Sequence, residues 1–99
     1  ILNNGTYGTL RAHQERNYPA RVSGTDLVNP DFVMLARAYG YHAERVEQTA
    51  DFAAAFDRAL ASKTGAVLDL NISPEALTPR QTMTQMRNAA LAAKAADQG

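Results

Sequence analysis

The chain has 99 residues, 45% of them hydrophobic and 20% charged, with ten basic residues offset by ten acidic ones and no cysteine. That length and balance fit one small domain with one core and exclude disulfides, thiolate catalysis and cysteine-based zinc sites, while the zero net charge supplies no basic field for nucleic acid or an anionic membrane surface. No apolar run approaches the roughly 20 residues of a membrane-spanning helix, His13 and His42 are too far apart in sequence for a helical metal pair, and a cytoplasmic location is the expectation.

In chain order, residues 1–3 read as the tail of a buried strand. Asn3-Asn4-Gly5-Thr6-Tyr7-Gly8 follows, with two glycines able to take backbone conformations closed to other residues. A strand, a tight turn and a helix place small polar groups at the carboxyl end of a strand, where open α/β sheets put ligands. Asparagine amide oxygens and backbone carbonyls are hard donors suited to Mg²⁺ or Ca²⁺. On residue types alone, a cation or phosphate corner and a plain Asn-Gly turn both remain open.

A short helix is expected over residues 9–16, anchored by Leu10, and a long polar connection over 17–29 broken by Pro19 and Gly24. Asn29-Pro30-Asp31 reads as a helix start, with Asn29 as cap, Pro30 in the first position and Asp31 in the first turn. Phe32, Leu35, Ala36 and Tyr39 form its apolar face and Gly40 ends it. A strand is expected over 41–46. A second helix follows, capped by Thr49, with the stripe Phe52, Ala55, Phe56, Ala59 and Leu60. The clearest strand covers 66–72, where Asp69 would be costly inside a sheet unless hydrogen-bonded or close to an edge. Thr78 and Gln81 have capping-box spacing ahead of a last, alanine-rich helix whose seam is Met83, Met86, Ala90 and Ala93. The methionines are expected to pack. Glu44, Arg45, Asp57 and Arg58 are expected as solvated charges of little consequence.

Strands alternating with helices predict an α/β fold: a partial doubly wound parallel sheet with a C-terminal helix. Three strands make a poor isolated sheet. The expectation is therefore a piece of a larger domain, divided as residues 1–77 and a helix and tail over 78–99.

The turn and its surroundings resemble the thiamine diphosphate-dependent enzymes, nearest to the acetolactate synthase and benzoylformate decarboxylase type. The family's cofactor motif opens with Gly-Asp-Gly and closes with Asn-Asn behind an apolar strand, and Asn3-Asn4 matches that close. Gly5-Thr6-Tyr7-Gly8, Asn29-Pro30-Asp31-Phe32, Leu35-Ala36, Tyr39-Gly40, Val46 and Val67-Leu68-Asp69-Leu70 continue the likeness over about residues 1–75. The resemblance implies that Asn4 binds Mg²⁺ through its side-chain oxygen and Thr6 through its backbone carbonyl. It implies that Asn3, Gly5, Tyr7 and Gly8 lie at the thiamine diphosphate. Leu10 falls where several decarboxylases of the superfamily carry a catalytic glutamate, and would face the substrate. A leucine relays no proton, which argues against a pyruvate-decarboxylase-like mechanism. Thr9 and Leu10 also depart from the methionine and tryptophan that synthases tend to carry after the second glycine. His13 is expected to be solvated.

By the same resemblance the complete protein would be a lyase or transferase acting on 2-oxo acids by decarboxylation and carboligation, as a homodimer or homotetramer, with neither nucleic acid nor membrane as a partner. No catalytic residue falls in these 99, so the chain by itself is expected to be silent. The rival reading is a non-catalytic α/β binding or assembly module that keeps the fold.

Overall fold

The computed structural model describes residues 1–99. The expected elements form in the expected order: β1 (Leu2–Asn3), α1 (Gly8–Asn17), α2 (Phe32–Ala38), β2 (His42–Val46), α3 (Phe52–Ala61), β3 (Ala66–Asn71) and α4 (Met83–Gln98). They pack as two units. One comprises residues 1–4 and 28–72, the other residues 5–27 and 73–99. No helix is long and apolar enough to cross a membrane.

In the first unit the strands lie in the order β1-β3-β2, all parallel, with Leu2 opposite Leu70 and Arg45 opposite Asp69. The connection from β1 to β2 passes over the place of β3, and the connection from β2 to β3 runs back. Crossovers of one hand running in opposite directions, the right-handed kind being the rule for parallel strands, put α2 and α3 on opposite faces. The side-chain alternation of the strands agrees. Val67 shares an apolar hollow with Phe32, Leu35 and Ala36, whereas Val46 and Leu70 share one with Phe52. This is the doubly wound parallel arrangement expected from the sequence.

The most buried apolar residues here are small: Ala36, Ala43, Val46 and Ala55. The large members of both helix stripes are only partly covered. Phe52 and Phe56 stack at 5.6 Å between centroids, yet Leu60 is 69% and Tyr39 76% exposed. Correct helical periodicity therefore marks which face turns inward without guaranteeing full burial.

Two helix starts differ from expectation. α2 begins at Phe32, and Asp31 is its cap, with its carboxylate accepting the Met34 N–H at 2.9 Å. Asn29 lies two residues before that cap, and its side-chain amide donates instead to Asn3 Oδ1 at 3.0 Å. α3 begins at Phe52, after a 3₁₀ turn at Thr49–Asp51 in which the Asp51 N–H reaches the Gln48 carbonyl at 3.0 Å. That turn takes up the residues expected to form the helix's first turn.

The charges are organised, not merely solvated. On the α3 face the Arg58 guanidinium grips the Glu44 carboxylate with three hydrogen bonds of 2.8–3.1 Å, and the His42 ring lies 2.7 Å from the same carboxylate. Arg58, and then His42, hold the Glu44 carboxyl down to about 2. On the α2 face Arg45 reaches Asp69 and Asp31, each at 3.3 Å.

In the second unit α1 packs on α4 through Ala12, Met83 and Met86, all buried, as expected of the two methionines. Glu15 of α1 is fully buried. The Arg87 Nε donates to both of its oxygens at 2.9 Å, and Nη2 donates to Oε1 as well. The Arg87 pair lowers the Glu15 carboxyl from its ordinary value against the opposing effect of burial. Glu15 also accepts the Ala20 N–H at 3.0 Å. Ala20 has φ +60°, a left-handed conformation that costs an alanine about 1–2 kcal/mol. That bond holds the turn after α1 together with the Gln14 side chain, which bonds the Ser23 N–H and carbonyl at 3.1 and 2.8 Å.

α4 starts four residues later than expected. The chain contains the Thr-x-x-Gln pattern twice, at 78–81 and 82–85. The true capping box uses Thr82 and Gln85. Starting there puts Met83 and Met86 one turn apart on the buried side. It also lets Glu75 accept the Thr84 N–H at 2.9 Å. Thr78 and Gln81 form a separate small turn.

The Glu44 carboxyl is depressed in the fold, so its contribution to stability is present above its unfolded value of 4.5 and is lost as pH falls toward about 2. In urea unfolding, Arg58→Ala is expected to be less stable than the parent above pH 4.5. The gap should close as pH falls through that window. A gap that stays constant with pH would contradict the assignment.

Candidate functional site

The carboxyl end of β1 is where the sequence placed its site, and the local chemistry explains the conformation there. Asn3 closes the β1 ladder, its carbonyl accepting the Ile72 N–H at 3.0 Å. Its side chain is held at both ends: Oδ1 accepts from Asn29 Nδ2 at 3.0 Å, and Nδ2 donates to Asp69 Oδ1 at 3.2 Å. Asp69 is 1% exposed and accepts from Arg45 Nε at 3.3 Å through its other oxygen. Arg45 continues to Asp31, whose carboxyl is lowered chiefly by the Met34 N–H and further by Arg45. A continuous polar run, Asn29-Asn3-Asp69-Arg45-Asp31, thus crosses all three strands on the α2 face. The sequence singled out Asp69 as costly if unpaired; it sits on the central strand and is paired on both sides.

Asn4 follows Asn3 directly, outside the ladder. Gly5 has φ +67° and open space where a side chain would begin, so glycine is favoured there by conformation and not by crowding. Beyond it, residue 6 makes an isolated antiparallel bridge with Asp26. The bridge bonds are Leu27 N–H to the Gly5 carbonyl at 2.9 Å and Tyr7 N–H to the Thr25 carbonyl at 2.8 Å. Thr6 and Asp26 are therefore a non-hydrogen-bonded pair, and the Thr6 carbonyl is turned away from the 25–27 segment. The Thr6 hydroxyl donates to the Thr25 carbonyl at 2.8 Å, so its side chain anchors the turn. Thr25 is buried, and its own hydroxyl oxygen has no hydrogen-bond partner.

Tyr7 is half-exposed and precedes α1, and the buried Gly8 is the first residue of α1. Leu10 is 57% exposed, and His13 lies on the exposed side of the same helix.

The donor chemistry fits a hard divalent cation. No group of three or more His, Cys, Asp or Glu side chains is placed to hold a metal. The oxygens at this turn are an asparagine amide and backbone carbonyls, donors that Mg²⁺ accepts while keeping other positions for phosphate oxygens and water. Sequence reasoning did not find Asn29, which it used as a helix cap. The Asn29–Asn3 contact joins residues 26 apart in sequence, and no local pattern encodes it.

Comparison with known proteins places this turn in context. Residues 1–70 match the family model described as "Thiamine pyrophosphate enzyme, C-terminal TPP binding domain". The chain is 36% identical over 73 residues to the acetolactate synthase isozyme 2 large subunit of Escherichia coli (strain K12), covering 73% of this chain and 13% of the relative. It is 35% identical over 75 residues to acetolactate synthase of Arthrospira platensis, covering 74% and 13%. It is 36% identical over 73 residues to mitochondrial acetolactate synthase of Schizosaccharomyces pombe, covering 74% and 11%. The chain thus spans about an eighth of the length of these relatives.

Gly5→Ala is expected to destabilise by about 1–2 kcal/mol, the cost of a left-handed L-residue, and Gly5→Asn by less, because asparagine tolerates that region. Urea unfolding reads both. Equal stability of Gly5→Ala and the parent would show that the turn does not depend on this conformation.

Proposed function

Because the chain belongs to the thiamine pyrophosphate enzyme family, matching its C-terminal TPP-binding domain, we propose that it works as part of an enzyme that uses thiamine diphosphate and Mg²⁺ on 2-oxo acids. The observation that carries this reading is the Asn3-Asn4-Gly5-Thr6 turn, which lies within the matched stretch at the carboxyl end of β1. On this reading residues 1–77 are the carboxyl-terminal half of the cofactor domain, and 78–99 are an appended helix and tail.

Asn4 gives a side-chain amide oxygen to the metal, and Thr6 its backbone carbonyl. Gly5 supplies the left-handed step between them. Tyr7 and Gly8 lie beside the diphosphate, where the amide end of α1 suits negative charge. Asn3 holds the strand end from which Asn4 departs. Leu10, exposed on α1, offers substrate an apolar contact and moves no proton. Bound thiamine diphosphate supplies the carbanion chemistry, while this chain's residues bind and orient it.

The relatives' names support decarboxylation with carboligation, as in acetolactate synthase. The remaining residues of the active site come from outside these 99, so the chain alone is inactive. The complete protein is a cytoplasmic homodimer or homotetramer.

Asn4→Ala, made in the full-length protein, is expected to weaken Mg²⁺-dependent thiamine diphosphate binding about tenfold or more, the scale on which loss of a ligand-ordering contact is already felt at metal sites. Calorimetric titration of the cofactor at several Mg²⁺ concentrations measures it. Unchanged affinity would favour instead a non-catalytic module that keeps the fold.

A further inference from the structure

We infer that Asp69 and Asn29 are positioning residues for the metal, acting through Asn3, and that they set the site's preference for Mg²⁺ over Ca²⁺. The inference rests on the reading of Asn4 as a metal ligand.

A carboxylate paired with a guanidinium is an acceptor only, so Asp69 must face the NH₂ end of Asn3. The oxygen end then faces Asn29, which presents its own NH₂ at 3.0 Å. The amide has one orientation compatible with both partners. The Asn3 carbonyl is fixed independently by the Ile72 N–H. Side chain and main chain of Asn3 are thus both held, and Asn4 leaves the strand from a residue with little freedom to rotate.

Asp69 is itself held. It lies on the central strand, 1% exposed, with Arg45 on the adjacent strand as its second partner. Arg45 is in turn tied to Asp31, the cap of α2. The run thus couples the direction of Asn4 to the register of the sheet and the start of a helix.

Rigidity matters unequally for different cations. Mg²⁺ demands near-ideal octahedral geometry at about 2.0–2.1 Å, whereas Ca²⁺ accepts flexible geometry at about 2.3–2.6 Å. Loosening Asn3 should therefore cost Mg²⁺ more than Ca²⁺. A purely structural role for Asp69 would weaken both ions alike, and the ratio separates the two cases.

The test uses the full-length protein and reads the concentrations of Mg²⁺ and of Ca²⁺ that half-saturate thiamine diphosphate binding in calorimetry, independently of turnover. Asp69→Ala and Asn29→Ala are each expected to raise the Mg²⁺ requirement about tenfold and the Ca²⁺ requirement by no more than about threefold. Asn29 is exposed, so its variant supplies the answer should Asp69→Ala fail to fold. Asp69→Asn keeps an oxygen for the Asn3 NH₂ but gives up the Arg45 bond, and should lie closer to the parent ratio than Asp69→Ala. Arg58→Ala, which breaks an ion pair on the opposite face of the sheet, should leave the ratio unchanged. Parallel loss of both ions, or no loss, in Asp69→Ala and Asn29→Ala would overturn the inference while Asn4→Ala still weakens binding. Unchanged binding in Asn4→Ala would instead remove the metal-ligand reading on which it rests.

Discussion

Asp69 is the residue on which the first unit turns. A charge buried in the middle of a sheet costs several kcal/mol unless it is paired and hydrogen-bonded. Here its two partners come from the two neighbouring strands, Asn3 of β1 and Arg45 of β2. The carboxylate is satisfied only when both strands are present and correctly aligned. A slip of one residue in either strand would send its partner to the opposite face. The buried charge therefore specifies register, and a hydrophobic residue at the same position would not.

The second unit uses the same device in helical form. Glu15 takes the Arg87 guanidinium from α4 and the Ala20 amide from the turn after α1. A single buried carboxylate thus selects which side of α4 faces α1 and closes a strained turn. From that turn the chain runs on to Thr25, whose carbonyl takes both the Thr6 hydroxyl and the Tyr7 amide. Each unit thus fixes one part of the Asn-Asn-Gly-Thr turn by its own internal bonds. Gly5, between the two parts, takes its left-handed φ without a side chain to strain it.

Much of this was legible in the sequence because it is local. The parallel α/β order, the turn after β1, the left-handed Gly40 that follows α2 (φ +80°) and the packing of Met83 and Met86 all follow from periodicity and glycine chemistry over a few residues. The misplaced starts of α2, α3 and α4 show where local rules compete. Asn29 and Asp31 are both good cap residues; Asp31 takes the role by accepting the Met34 N–H, while Asn29 is turned toward Asn3, far away in the chain. Two Thr-x-x-Gln boxes are equally good locally, and burial of the methionines together with Glu75 decides between them. The pairs Glu44–Arg58 and Glu15–Arg87 were invisible for the same reason. Each joins residues from separate elements, and nearest-neighbour charge spacing says nothing about them.

The functional account reduces to a claim about two oxygens: that the Asn4 amide and the Thr6 carbonyl face a common cation in the assembled protein. It draws on the family match and on donor chemistry, with the rigid Asn3 and the left-handed Gly5 as the structural reasons the chain can present them. A crystal structure of the full-length protein with Mg²⁺ and thiamine diphosphate tests it most directly. The account predicts Asn4 Oδ1 and the Thr6 carbonyl oxygen both in the Mg²⁺ shell at about 2.0–2.1 Å. A metal bound to the diphosphate with neither oxygen in its shell would contradict it.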